Sequence, residues 1–376
     1  MQQRATFICT FVAIAATVAH ATVATASSSA GGGRRTVSLL REPGPSSAAL
    51  YFSPVKHTGA LDGPVNASSA SNADGSEDEA KAAWYVAQWN NPSPFDARNL
   101  PPHGDAPIPD ACNATSSSGL FGGLTPEWGV ANAHARVCSL RGDASPPRHY
   151  VQLAASGGDA LECGKEFDMF LSPLGAAYPR YRPANMDPGA DQWSLNTTAG
   201  GERVTKIVLG VDIASDFVEV QARCGTDAHH ECGSPLDYGY ITIGLPIHNN
   251  VSREQNFFQV QVYDSRQGVC PGVDPCTTDG SIGWYFRTLP VLGSNVAIGS
   301  FGGGATCLTP GAAQRYELDV LPVLQRVVAE GARLYGADAN LDHWHVNGLY
   351  VGQGLQGAAA MTTTVGNIKL EATLEG

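Results

Sequence analysis

Tyr240-Ile-Thr-Ile-Gly-Leu-Pro-Ile247 and Asn256-Phe-Phe-Gln-Val-Gln-Val-Tyr263 are the two runs of sequence that decide the fold. Apolar residues occupy alternate positions in both, and a repeat of two is typical of a half-buried β-strand. Pro246 cannot donate a ladder hydrogen bond and predicts an edge or a strand end. The alternation predicts these buried residues: Ile241, Ile243, Leu245, Ile247, Phe258, Val260 and Val262.

The same period recurs along the second half of the chain. Phe217-Val-Glu-Val-Gln-Ala-Arg-Cys224 places Val218, Val220, Ala222 and Cys224 on one predicted buried face, and Ile368, Leu370, Ala372 and Leu374 alternate similarly. Further predicted strands are 206–213, 284–287, 295–301, 346–351 and 367–374. The pattern predicts an all-β fold, a two-sheet antiparallel sandwich.

One amphipathic helix is predicted near the C-terminus. Pro322 suits a first-turn position, while Gly331 and Gly336 are stop signals. Its apolar residues recur at helical spacing: Val320, Val323, Leu324, Val327, Val328 and Leu334. We expect this helix to pack on the sandwich.

The composition agrees with an all-β fold and excludes some classes of binding partner. The 376 residues include 43 Gly and 24 Pro and only 15% charged residues, which favours strands and turns. The formal net charge is −12, with no basic run. This argues against nucleic acid or an anionic membrane surface as the partner and favours a neutral one.

The N-terminal region predicts secretion. Residues 1–26 carry Arg4, an uncharged stretch and small-x-small sites at Ala19-His-Ala21 and Ala24-Thr-Ala26, the pattern of a signal peptide. Residues 27–80 are rich in Ser, Ala and Gly and predict a flexible leader with one short docking strand at 48–52. Residues 81–376 form the predicted sandwich domain. No segment has the length of a membrane span.

Eight cysteines follow the signal, an even number that suits disulfides: Cys112, Cys138, Cys163, Cys224, Cys232, Cys270, Cys276 and Cys307. Their pairing is not determined by the sequence. Acceptor triplets for N-glycosylation begin at Asn66, Asn113, Asn196 and Asn250.

The last sixty residues carry three motifs in order. These are Tyr316-Glu-Leu-Asp-Val-Leu-Pro-Val-Leu-Gln-Arg-Val-Val-Ala, Trp344-His-Val-Asn-Gly-Leu-Tyr-Val-Gly-Gln-Gly-Leu-Gln-Gly357 and Thr362-Thr-Thr-Val-Gly-Asn-Ile-Lys-Leu. The order resembles the C-terminal helix and strand pair of glycoside hydrolase family 12. The resemblance, over about one sixth of the chain, implies a concanavalin-like jelly roll, a fold whose family members cleave β-glucans with two glutamates.

The chain departs from that family at both catalytic positions. The family has a Gly-x-Glu acid where this sequence reads Gly352-Gln353-Gly354. Its nucleophile strand has two candidates here, Glu166-Phe-Asp-Met-Phe-Leu171 and Gln259-Val-Gln-Val-Tyr. The second lies in the better order along the chain but lacks the carboxylate, and with that alignment both acids are lost. The resemblance therefore implies a protein that binds a glycan without cleaving it.

Glu166 and Asp168 are the candidate catalytic pair. Residues i and i+2 of a strand project from the same face, about 6–7 Å apart, and two such carboxylates suit glycoside hydrolysis. The alternative is an acidic strand end that pairs with Lys165 or an arginine.

Aromatic and amide side chains are the candidate substrate-binding groups, since sugar rings stack on flat rings while amides satisfy hydroxyls. The alternating face of Phe257, Gln259, Gln261 and Tyr263 is the best set; if a second sheet covers it, these are core residues. In Trp84-Tyr-Val-Ala-Gln-Trp89 the two tryptophans take opposite faces, so at least one is core. Other candidates are Trp128, Trp193, Trp284, Trp344, Tyr350, Asn347 and Gln353.

No motif predicts a cofactor or a metal. Asp342-His343-Trp344-His345 offers two imidazoles on one predicted strand face, but two imidazoles are not a metal site. We expect a secreted, lectin-like protein with a glycan or polysaccharide partner. The alternatives are a glycoside hydrolase using Glu166 and Asp168, and a structural extracellular or wall protein.

Overall fold

The computed structural model describes these residues of the chain: 33–40, 50–54, 84–89, 91, 95, 110–115, 121–145, 147–157, 166–173, 194–198, 200–220, 237–252, 254–265, 279–285, 290–292, 296–297, 308–346 and 348–376. In chain order its first strands are β1 (Arg35–Ser38), β2 (Leu50–Pro54), β3 (Trp84–Trp89), β4 (Leu124–Ala131), β5 (Ala135–Gly142), β6 (His149–Ser156) and β7 (Glu166–Pro173). The later strands are β8 (Arg203–Val220), β9 (Tyr238–Asn249), β10 (Gln255–Asp264), β11 (Asp279–Tyr285), β12 (Pro290–Leu292), β13 (Val296–Ala297), β14 (Ala313–Asp319), β15 (Trp344–Val346), β16 (Tyr350–Gln356) and β17 (Ala359–Glu375). The helices are α1 (Asp110–Thr115), α2 (Leu321–Tyr335) and a 3₁₀ turn, Leu341–His343.

The strands form two sheets, which confirms the predicted all-β sandwich. The first sheet has the order β14-β8-β17-β6-β5-β4, with β1 paired to β17. The second has the order β12-β11-β10-β9-β16-β7-β3-β2, with β13 and β15 paired to β11 and β9. The β2–β3 pair is parallel, and the other described pairs between strands are antiparallel.

The core lies between the inner faces of the two sheets. The alternation predicted for β9 and β17 is confirmed, because the residues expected to be buried there are buried. They share one apolar cluster with alternate residues of the neighbouring strands: Val137, Val151, Phe167, Met169, Leu171, Leu209, Ile213 and Val351. Burial of these faces removes apolar surface from water and is the main force that holds the sheets together.

Helix α2 packs on this core, as predicted. Pro322 stands in its first turn, and Gly336 caps its C-terminus with φ +70°. Gly331, predicted as a stop, lies inside the helix and is buried instead. Leu334, in the last turn of the helix, is exposed.

Three strand predictions need correction. Residues 206–213 and 217–220 belong to one strand, β8, whose register against β17 shifts at Asp216. Val220, predicted buried, is 39% exposed at the end of that strand. Predicted strand 346–351 is divided between β15 and β16.

Pro246 lies inside β9 and not at its end. On one side of β9 it pairs with Phe257 of β10. On the other side β15 reaches Ile247 and β16 begins at Gly244, so the ladder skips residues 245 and 246. The break between β15 and β16 therefore lies beside a proline that cannot donate.

Two segments of the predicted leader are strands of the sandwich. β1 lies beside β17, and β2 lies beside β3 where the docking strand was expected. Leu39 and Leu40 enter the core, and Arg35 makes a bidentate contact with Glu202 at 2.7 and 2.5 Å. The rest of the leader and the signal region lie outside the described residues.

One disulfide is formed among the described residues, between Cys112 of α1 and Cys138 of β5. The other six cysteines predicted to pair lie outside the described ranges. No helix in the described part of the chain is long and apolar enough to cross a membrane.

Candidate functional site

The outer side of the second sheet carries a row of aromatic rings. Cross-strand pairing aligns Phe170 of β7 with Gly352 of β16 and Thr242 of β9, and aligns Tyr350 of β16 with Gly244 of β9. Paired residues share a face of a sheet. We call this side the aromatic face; it includes the buried side chains of Phe170, Thr242 and Tyr350 and the half-buried ones of Asp168, Tyr238 and Tyr240.

Glycines make room for these rings. A Cβ on Gly244 would overlap the ring of Tyr350, so the glycine allows the ring to lie flat on the sheet. Tyr350 also meets Phe170 edge to face, with 5.2 Å between ring centroids. Tyr238 and Tyr240 lie 6.1 Å apart, centroid to centroid. The rings are therefore held in fixed positions, with Phe170 and Tyr350 buried beneath and Tyr238 and Tyr240 partly exposed.

Asp168 lies among the rings of the aromatic face. Its register partner is Gly354, whose own partner on the far side is Tyr240. The Tyr240 hydroxyl reaches over the glycine and donates to Asp168 Oδ1 at 3.0 Å. A Cβ on Gly354 would overlap both groups. A carboxylate and a phenol are thus held together in a partly buried position.

A second carboxylate, which the sequence reading missed, lies in the same cross-strand row. The register of β10 against β9 shifts between Gln261 and Tyr263, so Asp264 pairs with Tyr240. Asp264 is buried, and its negative charge adds to burial in raising the pKa of Tyr263. No signal in the β10 sequence announces this bulge. Asp168, Gly354, Tyr240 and Asp264 therefore form one row across four strands.

The bulge also corrects the predicted binding set. Tyr263 pairs with Ile241 and lies in the core, not on the face of Gln259 and Gln261. Gln353 is likewise buried between the sheets, where its Nε2 donates to the Met361 carbonyl at 3.1 Å. Both residues are removed from the candidate site because neither side chain reaches the aromatic face.

Two tryptophans also leave the candidate site. Trp84 is fully buried beside Val86, which confirms that one tryptophan of β3 is a core residue. Trp344 is fully buried, and its Nε1 donates to the Asp338 carbonyl at 2.8 Å. Both tryptophans are buried because their large apolar side chains are stabilised by removal from water.

Other candidates are placed by register alone. Glu166 pairs with Gln356 and Trp89 pairs with Asp168, which puts both positions on the side of the aromatic face. Phe257, Gln259 and Gln261 pair with Pro246, Gly244 and Thr242 on that same side. Trp128 and Trp284 lie in β4 and β11, and Trp193 and Asn347 lie outside the described residues.

The outer side of the first sheet, which we call the polar face, differs from the aromatic face. Asp212 is buried and accepts hydrogen bonds from Tyr150 at 3.2 Å, Arg315 at 3.1 Å and Asn367 at 3.0 Å. Burial and the Asp212 charge raise the pKa of Tyr150. The carboxylate is therefore held by side chains of its own sheet.

A second group on the polar face is also linked internally. Arg136 donates to Gln152 at 2.9 Å, and Gln152 and Thr364 donate to Asp216 at 3.0 and 2.8 Å. Beside it, α1 and its disulfide enclose a small apolar cluster that includes Leu140 and Tyr150. We therefore do not assign a ligand site to this face.

The two histidines predicted to share one strand face belong to different elements. His343 belongs to the 3₁₀ turn, and its Nδ1 lies 2.6 Å from Asp338 Oδ2, while His345 belongs to β15. Backbone and His343 hydrogen bonds lower the pKa of Asp338. Within the described ranges no three His, Cys, Asp or Glu residues are grouped as a metal would require.

Comparison of the sequence with known proteins does not assign it to a family. A scan against protein-family models finds no match, and a search of curated proteins finds no similar sequence.

Proposed function

We propose that the protein binds a neutral polysaccharide on its aromatic face. The observation that carries this proposal is the row of Asp168, Gly354 and Tyr240, flanked by the partly exposed ring of Tyr238. Flat rings stack on the apolar C–H surface of a sugar, and adjacent carboxylates accept from its hydroxyls. Fixed rings lose little entropy when they bind.

The charge of the protein supports a neutral ligand. The chain carries −12, and two carboxylates, Asp168 and Asp264, stand in the same row. Such a face repels a polyanion. The resemblance to glycoside hydrolase family 12 supports a β-glucan as the first polysaccharide to test.

The same row favours binding over the family's cleavage reaction. In the resemblance, the acid of the Gly-x-Glu pattern corresponds to Gly354. Asp168 and Tyr240 meet above this glycine and fill the space that a side chain would need. A family-type pair of glutamates therefore does not fit at this position, which supports a lectin-like protein.

The test uses affinity-gel retardation with a panel of soluble β-glucans and related polysaccharides. We expect the wild type to be retarded, and Tyr240→Ala and Asp168→Asn each to weaken binding about tenfold or more, the loss of about 1.4 kcal/mol. Glu371→Gln, on the outer side of the first sheet, is the matched control and retains binding. A wild type that no polysaccharide retards would refute the proposal.

Hydrolysis is the second candidate, favoured by one observation. Glu166 and Asp168 occupy the same side of β7, and Asp168 has a fixed hydrogen-bond donor in Tyr240. Release of reducing ends from the same samples, abolished by Asp168→Asn or Glu166→Gln, is the expected result for an enzyme. Retardation without new reducing ends supports binding alone.

A further inference from the structure

The turn between β9 and β10 has the local structure of an N-glycan acceptor site. Asn250 is exposed at the start of this turn, and the triplet Asn250-Val251-Ser252 meets the sequence requirement. The next residue, Val251, is 65% exposed, an unusual apolar group at a turn tip. This turn therefore has both an accessible amide and an apolar surface that a glycan would cover.

The triplet is held in place by hydrogen bonds that do not use the side-chain amide of Asn250. Asn249 Oδ1 accepts from the amides of Val251 and Ser252 at 2.9 and 2.8 Å. The Asn250 backbone N–H donates to the His343 carbonyl at 2.9 Å. The buried neighbour Asn249 thus anchors the turn, and the Asn250 side chain is left at the surface.

We infer that Asn250 is an N-glycosylation site of this protein when it passes through a eukaryotic secretory pathway. In the reaction, Asn250 Nδ2 forms a bond to the anomeric carbon of a polyprenyl-pyrophosphate-linked oligosaccharide. The bond from that carbon to the pyrophosphate oxygen breaks, the polyprenyl pyrophosphate leaves, and the amide loses one proton. The inference is independent of the proposed glycan-binding function.

The acceptor triplet at Asn196 has a different environment. Asn196 Nδ2 donates to Asp342 Oδ1 at 2.8 Å, and the Thr198 side chain is buried and accepts from the Glu202 backbone at 3.1 Å. A glycan on Asn196 would break the contact of its side-chain amide with Asp342. In the Asn250 triplet the Ser252 hydroxyl donates to Glu254 Oε2 at 2.6 Å, a contact that does not involve the acceptor amide. Asn196 therefore provides the control position in the same region of the fold.

A glycan on Asn250 would leave the aromatic face open. Asn250 lies ten residues along the chain from Tyr240, which is about 30 Å of strand. The Asp168–Tyr240 pair is at the opposite end of β9. Modification and polysaccharide binding can therefore be measured separately on the same protein.

The experiment is peptide mapping of the full chain secreted from a eukaryotic host. An N-glycan amidase converts the acceptor Asn to Asp, so position 250 is expected to be read as Asp after treatment. Asn250→Gln and Ser252→Ala should each remove one glycan's mass, while Ser252→Thr and Asn196→Gln should leave the Asn250 modification in place. An unmodified Asn250 in the secreted wild-type protein would overturn the inference whether or not the variants fold.

Discussion

On the polar face Asp212 is surrounded by Tyr150, Arg315 and Asn367, whereas on the aromatic face Asp168 accepts from the Tyr240 phenol beside aromatic rings. Both faces are the outer sides of sheets that share one core. On the polar face the polar side chains hydrogen-bond to one another. On the aromatic face glycines leave space for the rings that lie over them. We therefore expect changes on the polar face to act on stability and changes on the aromatic face to act on ligand binding as well.

The largest effect is expected from the disulfide beside the polar face. Replacement of Cys112 and Cys138 by alanine opens a loop with a sequence separation of 26 and should lower the free energy of unfolding by about 2–4 kcal/mol. Urea denaturation measures this loss. Polysaccharide retardation should not change. Loss of retardation in a variant that is still folded would contradict the separation of the two faces.

The next effect is expected from Gly244 on the aromatic face. Gly244→Ala pushes the Tyr350 ring off the sheet and should cost about 1–3 kcal/mol of stability, together with about a tenfold loss in polysaccharide affinity. Gly200→Ala is the matched control, because a Cβ there makes one ordinary contact.

A double-mutant cycle sharpens this prediction. In a Tyr350→Ala background the added methyl has no ring to displace, so the cost of Gly244→Ala should shrink. Additive costs in the cycle would contradict the assigned contact.

A smaller effect is expected at Asp212. Asp212→Asn removes the charge that Arg315 and the buried Tyr150 hydroxyl face, and should cost about 1–2 kcal/mol in denaturation experiments. Asp143→Asn, at an exposed position, should change stability by less than about 0.5 kcal/mol. Lost polysaccharide binding in a folded Asp212→Asn protein would argue for a ligand role of the polar face.

The smallest effect is expected at Glu317, an exposed partner of Lys369 at 3.1 Å on the first sheet. The hydrogen bond from Lys369 lowers the pKa of Glu317, so its contribution is present above the unfolded pKa and is lost as the pH falls through the folded value. Glu317→Gln should therefore cost at most about 0.5 kcal/mol at pH 7, since solvent screens the pair. The difference from wild type should vanish on acidification, and a difference that grew would contradict this sign.

The fold was predictable where a strand keeps its alternation. β9 and β17 bury the residues that a period of two selects, and α2 begins beside Pro322 and ends at Gly336. The division between strands was less predictable. The shift at Asp216 is a property of β8 against its partner, so the sequence of β8 alone does not locate it.

The candidate site was predictable only in part, for the same reason. Asp168 and Tyr350 were predicted and lie on the aromatic face, but Tyr263 was placed there only by assuming unbroken alternation in β10. One bulge sends Tyr263 inward and brings Asp264 to the row of Tyr240. The alternation in β3 predicted that at least one of its two tryptophans is a core residue. It did not identify Trp84 as the buried one.

The place of β17 in the first sheet has a consequence for the order of folding. β17 pairs with β6 and β8, and its far end pairs with β1, so that Arg35 meets Leu374. β1, β6 and β8 thus pair with a strand that is synthesised long after them, and contacts of such long sequence separation slow folding. Until then β6 and β8 lack the strand that lies between them in the sheet, and unpaired strand edges of this kind favour aggregation.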